Sequence, residues 1–241
     1  MELMVDKKLE YYYLERKAVI ERYFRGGQFV DAEREVLRLR KEMEEDVDVP
    51  KDLLSDVYYK LYHLAWIRED KENAFQYAEK AAELHPSAEG TLQIYSNLAT
   101  NALQRNLFDE ANQYVEKCEG LLSENTPNAW CVYYLKGKVQ LKKGDQKAAL
   151  EEFTSSAKEA NRMHLPYGEI AATIYVAEVL FQLGLKHNAL SEIVRIEMYA
   201  KRTRQLQQYL RVLIKKAQLL YRMGRKDEAE QVVLTIPEFD D

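Results

Sequence analysis

The sequence predicts an all-α chain, a right-handed α-solenoid of about six helix-turn-helix repeats, and three observations carry that reading. Nine Gly and five Pro are spread among 241 residues that are 46% apolar and 31% charged, too little punctuation for a protein of many strands. Apolar residues recur at three- and four-residue spacing, for example Leu98 and Ala102, then Ala111, Val115 and Cys118, which draws one apolar stripe along each helix. A short phrase, a Gly-like turn residue followed by an aromatic or Lys and then Ala, occurs six times and separates two such stripes each time.

In chain order the phrase reads GGQFVDA ending at Ala32, EDKENA at Ala74, NLFDEA at Ala111, GDQKAA at Ala149, GLKHNA at Ala189 and GRKDEA at Ala229. The alanines are 42, 37, 38, 40 and 40 residues apart, which places repeats over residues 9–46, 52–86, 91–124, 129–163, 168–200 and 205–238 of one domain spanning 1–241. Gly at the turn supplies the positive φ that closes the first helix, and Asn106 is its natural substitute in the third copy. Alanine on the second helix lets the two helices approach closely. The acidic stretch Glu42 to Asp52, with Val49 and Pro50, reads as the longest loop and a hinge candidate, and Glu42, Glu44 and Glu45 as a solvated helix end.

The phrase NAFQYAEKAAELHP, with Ala74, Ala78, Ala81 and Pro86, resembles the tetratricopeptide repeat (TPR), and Gly137 falls in the crowded middle of the fourth first helix. The period near 40 exceeds the family's usual spacing of about 34. It is similar to that of bacterial regulators, including the RNPP peptide-pheromone receptors and the sensor domain of the maltose-regulon activator. The phrase IYSNLATNALQRNLFDEANQYVEKC resembles the Tyr, Asn and Ala arrangement of those receptors. The first repeat starts near Leu9, so no helix-turn-helix reader is expected upstream, and the output domain of such a regulator would be absent. A carboxylate clamp of the chaperone-adaptor kind is disfavoured. Asn97 matches its central Asn, but Cys131 and Leu135 stand where its Lys and Arg would be.

The chemistry of enzymes is not legible here. There is no Walker loop, Gly-x-Gly-x-x-Gly turn, Gly-x-Ser-x-Gly elbow, Cys-x-x-Cys or His-x-x-x-His, and His63, His85, His164 and His187 fall in different repeats. No catalysis, metal or cofactor is expected. Cys118 and Cys131 read as buried free thiols. A net charge of −5 opposes direct nucleic-acid binding, and no apolar run suggests a membrane span or a signal peptide, so a cytoplasmic chain is expected. Homodimerisation stays open.

Function in a solenoid lies on the concave face lined by the first helix of each pair. Projected onto it are Tyr59, His63 and Trp66, then Gln93, Asn97, Thr100 and Gln104, then Tyr134, Lys138 and Leu141. The last two repeats add Glu178, Phe181, Gln182, Arg211, Gln218, Tyr221 and Arg222. Aromatic plates, amides and cations suit an extended peptide, whose backbone needs polar partners and whose side chains need apolar pockets. For each aromatic, packing between repeats competes with groove exposure, and for Asn97 a bond to an adjacent helix competes with a ligand. Lys201 to Lys226 holds nine Lys or Arg and no acid, so Arg211 and Arg222 are candidate anion contacts unless Glu192, Asp227 or Glu228 pairs with them. The expected function is a peptide- or protein-binding sensor of a bacterial signalling or transcription regulator; the alternative is a passive scaffold without a small ligand.

Overall fold

The computed structural model describes residues 2–46, 49–123, 126 and 128–236, with side chains from Tyr11 onward. Among the described residues there are twelve α-helices and no strand. Along the chain they follow as six turn-linked pairs: α1 Glu2–Arg25 then α2 Phe29–Glu44, α3 Lys51–Ile67 then α4 Lys71–Leu84, and α5 Ala88–Gln104 then α6 Phe108–Glu119. The remaining three are α7 Ala129–Lys143 with α8 Gln146–Arg162, α9 Pro166–Gln182 with α10 Lys186–Arg202, and α11 Leu206–Arg222 with α12 Lys226–Leu234.

Each recurring phrase is one folding device. The turn residue has positive φ in all six copies: Gly27 at 69°, Glu69 at 62°, Asn106 at 60°, Gly144 at 84°, Gly184 at 83° and Gly224 at 81°. The amide of the next residue bonds back to a carbonyl five positions earlier, as in Asp145 to Gln140 at 3.0 Å and Leu185 to Leu180 at 2.9 Å, which is the Schellman closure of the first helix. That same residue then accepts the first bond of the second helix from the phrase's alanine, as in Ala149 to Asp145 at 3.0 Å. Asp70 and Asp145 also cap their helices by accepting from the amides of Asn73 and Ala148. Glu69 is the phrase's one turn position with neither Gly nor Asn, so its Cβ bears the cost of the left-handed backbone. Glu69→Gly is expected to stabilise the second repeat by about 1 kcal/mol, read as a raised denaturation midpoint. An unchanged or lowered midpoint would reject this.

The alanines do what close packing requires. Ala32, Ala74, Ala111, Ala149 and Ala189 are completely buried, and Ala229 is 5% exposed. The chain divides into two compact units, Met1–Leu98 and Ala99–Asp241. In the first, Tyr62, Leu61 and Leu64 of α3 are buried, and Ser55 Oγ donates to the Ala81 carbonyl of α4 at 2.8 Å. In the second, Ser156 Oγ of α8 donates in the same manner to the Trp130 carbonyl of α7 at 2.8 Å. Gly137 is crowded as the sequence suggested: a Cβ there would stand 2.8 Å from the Phe153 ring.

Three expectations need correction. The connection from α2 to α3 spans only residues 45–50, of which 47 and 48 lie outside the described residues; the connection from α6 to α7, residues 120–128, is longer. Glu42 and Glu44 lie within α2 and accept hydrogen bonds from the hydroxyls of Tyr12 and Tyr58, so they anchor neighbouring helices and are not merely solvated. The Tyr12 hydroxyl, followed by Arg38 and Arg16, holds the Glu42 carboxyl below its usual range against a modest desolvation cost. Cys118 is buried and free, but Cys131 is only half-buried, with burial raising its thiol to about 11. The last repeat's positions 237 and 238, and residues 124, 125 and 127, lie outside the described residues.

Candidate functional site

In the first unit, α3 carries Tyr59, His63 and Trp66, and α5 carries Gln93 and Asn97. Tyr59 stacks on Tyr62 with ring centres 5.5 Å apart, and His63 meets Tyr59 edge-on at 4.6 Å. The Asn97 amide donates to the Tyr59 hydroxyl and its oxygen accepts from Gln93 Nε2 at 3.2 Å. An amide within a helix therefore finds its partner on the adjacent first helix, and Tyr59, Gln93 and Asn97 form one polar group. A hollow of about 170 Å³ opens beside them, lined by Tyr59 and Gln93 and also by Asp56 and His85, which the sequence did not single out. Trp66 packs edge-on to Phe75 of its own pair at 5.8 Å, which is a packing role.

In the second unit, Thr100 is half-buried and Gln104 exposed at the end of α5. The richer arrangement is on α7, α9 and α11. Tyr134 of α7 meets Tyr175 of α9 edge-on at 5.3 Å, and Lys138 Nζ lies 5.7 Å from the Tyr134 ring centre. Burial, then the neighbouring Tyr175, pushes the Tyr134 hydroxyl far above its ordinary value, while the charge of Arg211 on α11 opposes that rise. Arg211 itself donates to the buried amide oxygen of Gln208 at 3.0 Å.

About one helical turn beyond Tyr175 on α9, Glu178 gathers two further cations. It accepts from Arg222 at 2.9 and 3.1 Å, from Lys215 at 3.2 Å and from Gln182 at 3.0 Å. Desolvation works against the charged carboxylate, but Arg222, Gln182 and Lys215 outweigh it and hold its pKa below the usual value. The Arg222 guanidinium also lies 4.2 Å over the Phe181 ring, which is 9% exposed and belongs to the core between α9 and α10. Phe181 is thus a covered plate, not an open one. Of the acids expected to neutralise this segment, Glu192 pairs with Arg195 outside it at 3.0 Å and Glu228 with Arg225 inside it at 2.6 Å, and neither pairs with Arg211 or Arg222. Gln218 and Tyr221 are exposed beside a hollow of about 690 Å³ at α11 and α12.

No family model matches the chain, and no curated protein matches it. Solved structures do. The apo form of RapI is similar with a TM-score of 0.69 at 10% identity, covering 93% of this chain and 96% of that one. PilW, a type IV pilus biogenesis factor, is similar with a TM-score of 0.64 at 17% identity, covering 93% and 92%. A signal-transduction ATPase from Pyrococcus horikoshii with a tetratricopeptide repeat sensor has a TM-score of 0.64 at 17% identity, covering 98% of this chain and 34% of that one. This chain has the tetratricopeptide-repeat fold.

Within that fold, the positions a carboxylate clamp would need are closed to it. Leu135 is 2% exposed, and Cys131 is a half-buried neutral thiol. No helix among the described residues is long and apolar enough to cross a membrane, and no group of His, Cys, Asp and Glu among them is arranged to hold a metal ion.

Proposed function

We propose that the face made by α7, α9 and α11 binds an extended peptide, or an extended segment of a protein, through an acidic group, as the sensing part of a signalling or transcription regulator. The observation that carries this is the unequal treatment of its cations. Arg222 and Lys215 are neutralised by Glu178, whereas Lys138, beside the Tyr134 ring, and Arg211, whose charge acts on the Tyr134 hydroxyl, have no carboxylate partner among the described residues. A carboxylate approaching Tyr134 meets a guanidinium already oriented by Gln208, an ammonium and an aromatic edge, which is the chemistry for an acidic side chain or a chain terminus. The likeness to a structure bearing a tetratricopeptide repeat sensor supports the regulatory part of this reading.

Native mass spectrometry of the purified chain identifies any peptide it carries, and titration of that peptide supplies the test. Arg211→Gln is expected to weaken binding about tenfold and to flatten its salt dependence, because one exposed charge pair is removed. Arg222→Gln is expected to act mainly on stability, since it breaks an internal pair. Equal affinity and equal salt slope in wild type and Arg211→Gln would reject the acidic contact. A scaffold reading rests on a separate groove of about 390 Å³ lined by Leu190, Val194, Leu220 and Val232, and is favoured if a partner's affinity follows those residues instead.

A further inference from the structure

The outward face of α1 takes no part in the arrangements above. Tyr11, Leu14, Glu15, Ala18, Arg22 and Arg25 are exposed there, with Tyr11 65% and Leu14 54% exposed. At about 3.6 residues per turn they fall in one stripe roughly 100° wide, and Tyr13 and Ile20, which are buried, lie on the opposite side. Ala18, Arg22 and Arg25 border a groove of about 440 Å³ together with Val19. The charges on this stripe are unmatched among the described residues. Neither Glu15 nor Arg22 has an ion-pair partner among the described residues, and Arg25 reaches only the Glu21 carbonyl at 3.5 Å. Glu15 and Arg22 are also about 10 Å apart along their own helix, too far to pair with each other.

We propose that this face is a self-association surface, on which α1 packs antiparallel against α1 of a second copy about a two-fold axis near Ala18. The charge pattern selects that occupant. An isologous interface must be complementary to itself. Here an acid stands on one side of a small central residue and two bases on the other, so reversing the helix sets Glu15 of each copy opposite Arg22 of the other. The same register lays Arg25 of one copy near the Tyr11 ring of the other, a cation–π contact. Parallel pairing would oppose like charges at every step. Ala18 at the crossing allows the two helices to approach to about 8 Å. The stripe is short, so the dimer is expected to be reversible in the micromolar range.

Sedimentation equilibrium of the whole 241-residue chain tests this through a charge swap. The wild type is expected to shift from monomer to dimer between about 10 and 500 µM. Glu15→Arg and Arg22→Glu alone each place two like-charge contacts in the interface and are expected to raise the dissociation constant at least tenfold. The double variant Glu15→Arg with Arg22→Glu restores opposite charges at both contacts and is expected to return to within about threefold of wild type. Circular dichroism checks that all four proteins keep their helix content, which substitutions at exposed positions leave intact. A wild type that stays monomeric throughout overturns the proposal, as do single variants that dimerise like wild type. A double variant no better than the singles overturns the antiparallel register.

Discussion

Phe153→Ala is expected to cost about 3 to 5 kcal/mol, which would unfold or loosen the second unit near ambient temperature. Phe153 lies on α8 with no exposed surface, stacked on Tyr175 of α9 at 4.8 Å and met edge-on by Tyr134 of α7 at 5.8 Å. Ala149 and Val179 complete the buried cluster, and Leu141, Leu150 and Val176 pack around it. Three helices therefore share one ring, and no small shift of any one of them can fill the space it leaves. Because both tyrosines of the proposed binding face rest on Phe153, the loss reaches function through packing: amide exchange in α7 and α9 is expected to accelerate along with the lowered denaturation midpoint. Helical repeat arrays need not unfold in one step, so exchange protection, read helix by helix, is the sharper measurement. A loss below about 1 kcal/mol with unchanged exchange would mean that the cluster is not the centre of this unit.

The repeats were legible in the sequence because their chemistry is local. The positive-φ residue at the end of one helix and the alanine in the first turns of the next belong to a single phrase, and all six alanines are buried. The proposed binding face was only half legible, because what decides it is not local. Arg222 and Glu178 are 44 residues apart, and Lys215 and Glu178 are 37 apart, so nothing near either cation announces its partner. The acids closest in sequence, Glu192 and Glu228, were the natural candidates, yet each bonds a cation three residues away on its own helix. Tyr175 escaped notice for a different reason. It lies in α9 among Ile170, Ala171, Ala172, Ile174, Ala177 and Val179, all buried, and one more large apolar residue in so apolar a stretch reads as core although Glu178 and Gln182 mark the open side nearby. Projection also placed Phe181 on the open face without showing that Arg222 would cover it.

Gly137→Leu is expected to destabilise by more than about 2 kcal/mol, although leucine is intrinsically better than glycine within a helix by close to 1 kcal/mol. Packing reverses the sign. A Cβ at Gly137 would stand 2.8 Å from Cδ1 and Cε1 of Phe153, and the ring cannot retreat because Tyr175 is stacked on it. The glycine and the phenylalanine are therefore one steric unit, with the missing side chain on α7 making room for the ring from α8. This gives a test that neither variant supplies alone. In the double variant Gly137→Leu with Phe153→Ala, the introduced leucine has the vacated ring space to enter, so the combined loss is expected to fall short of the sum of the single losses by about 2 kcal/mol. Denaturation of wild type, both singles and the double closes the cycle. Additive losses would show that the two positions do not share that space, and that Gly137 is required for some reason other than the ring above it.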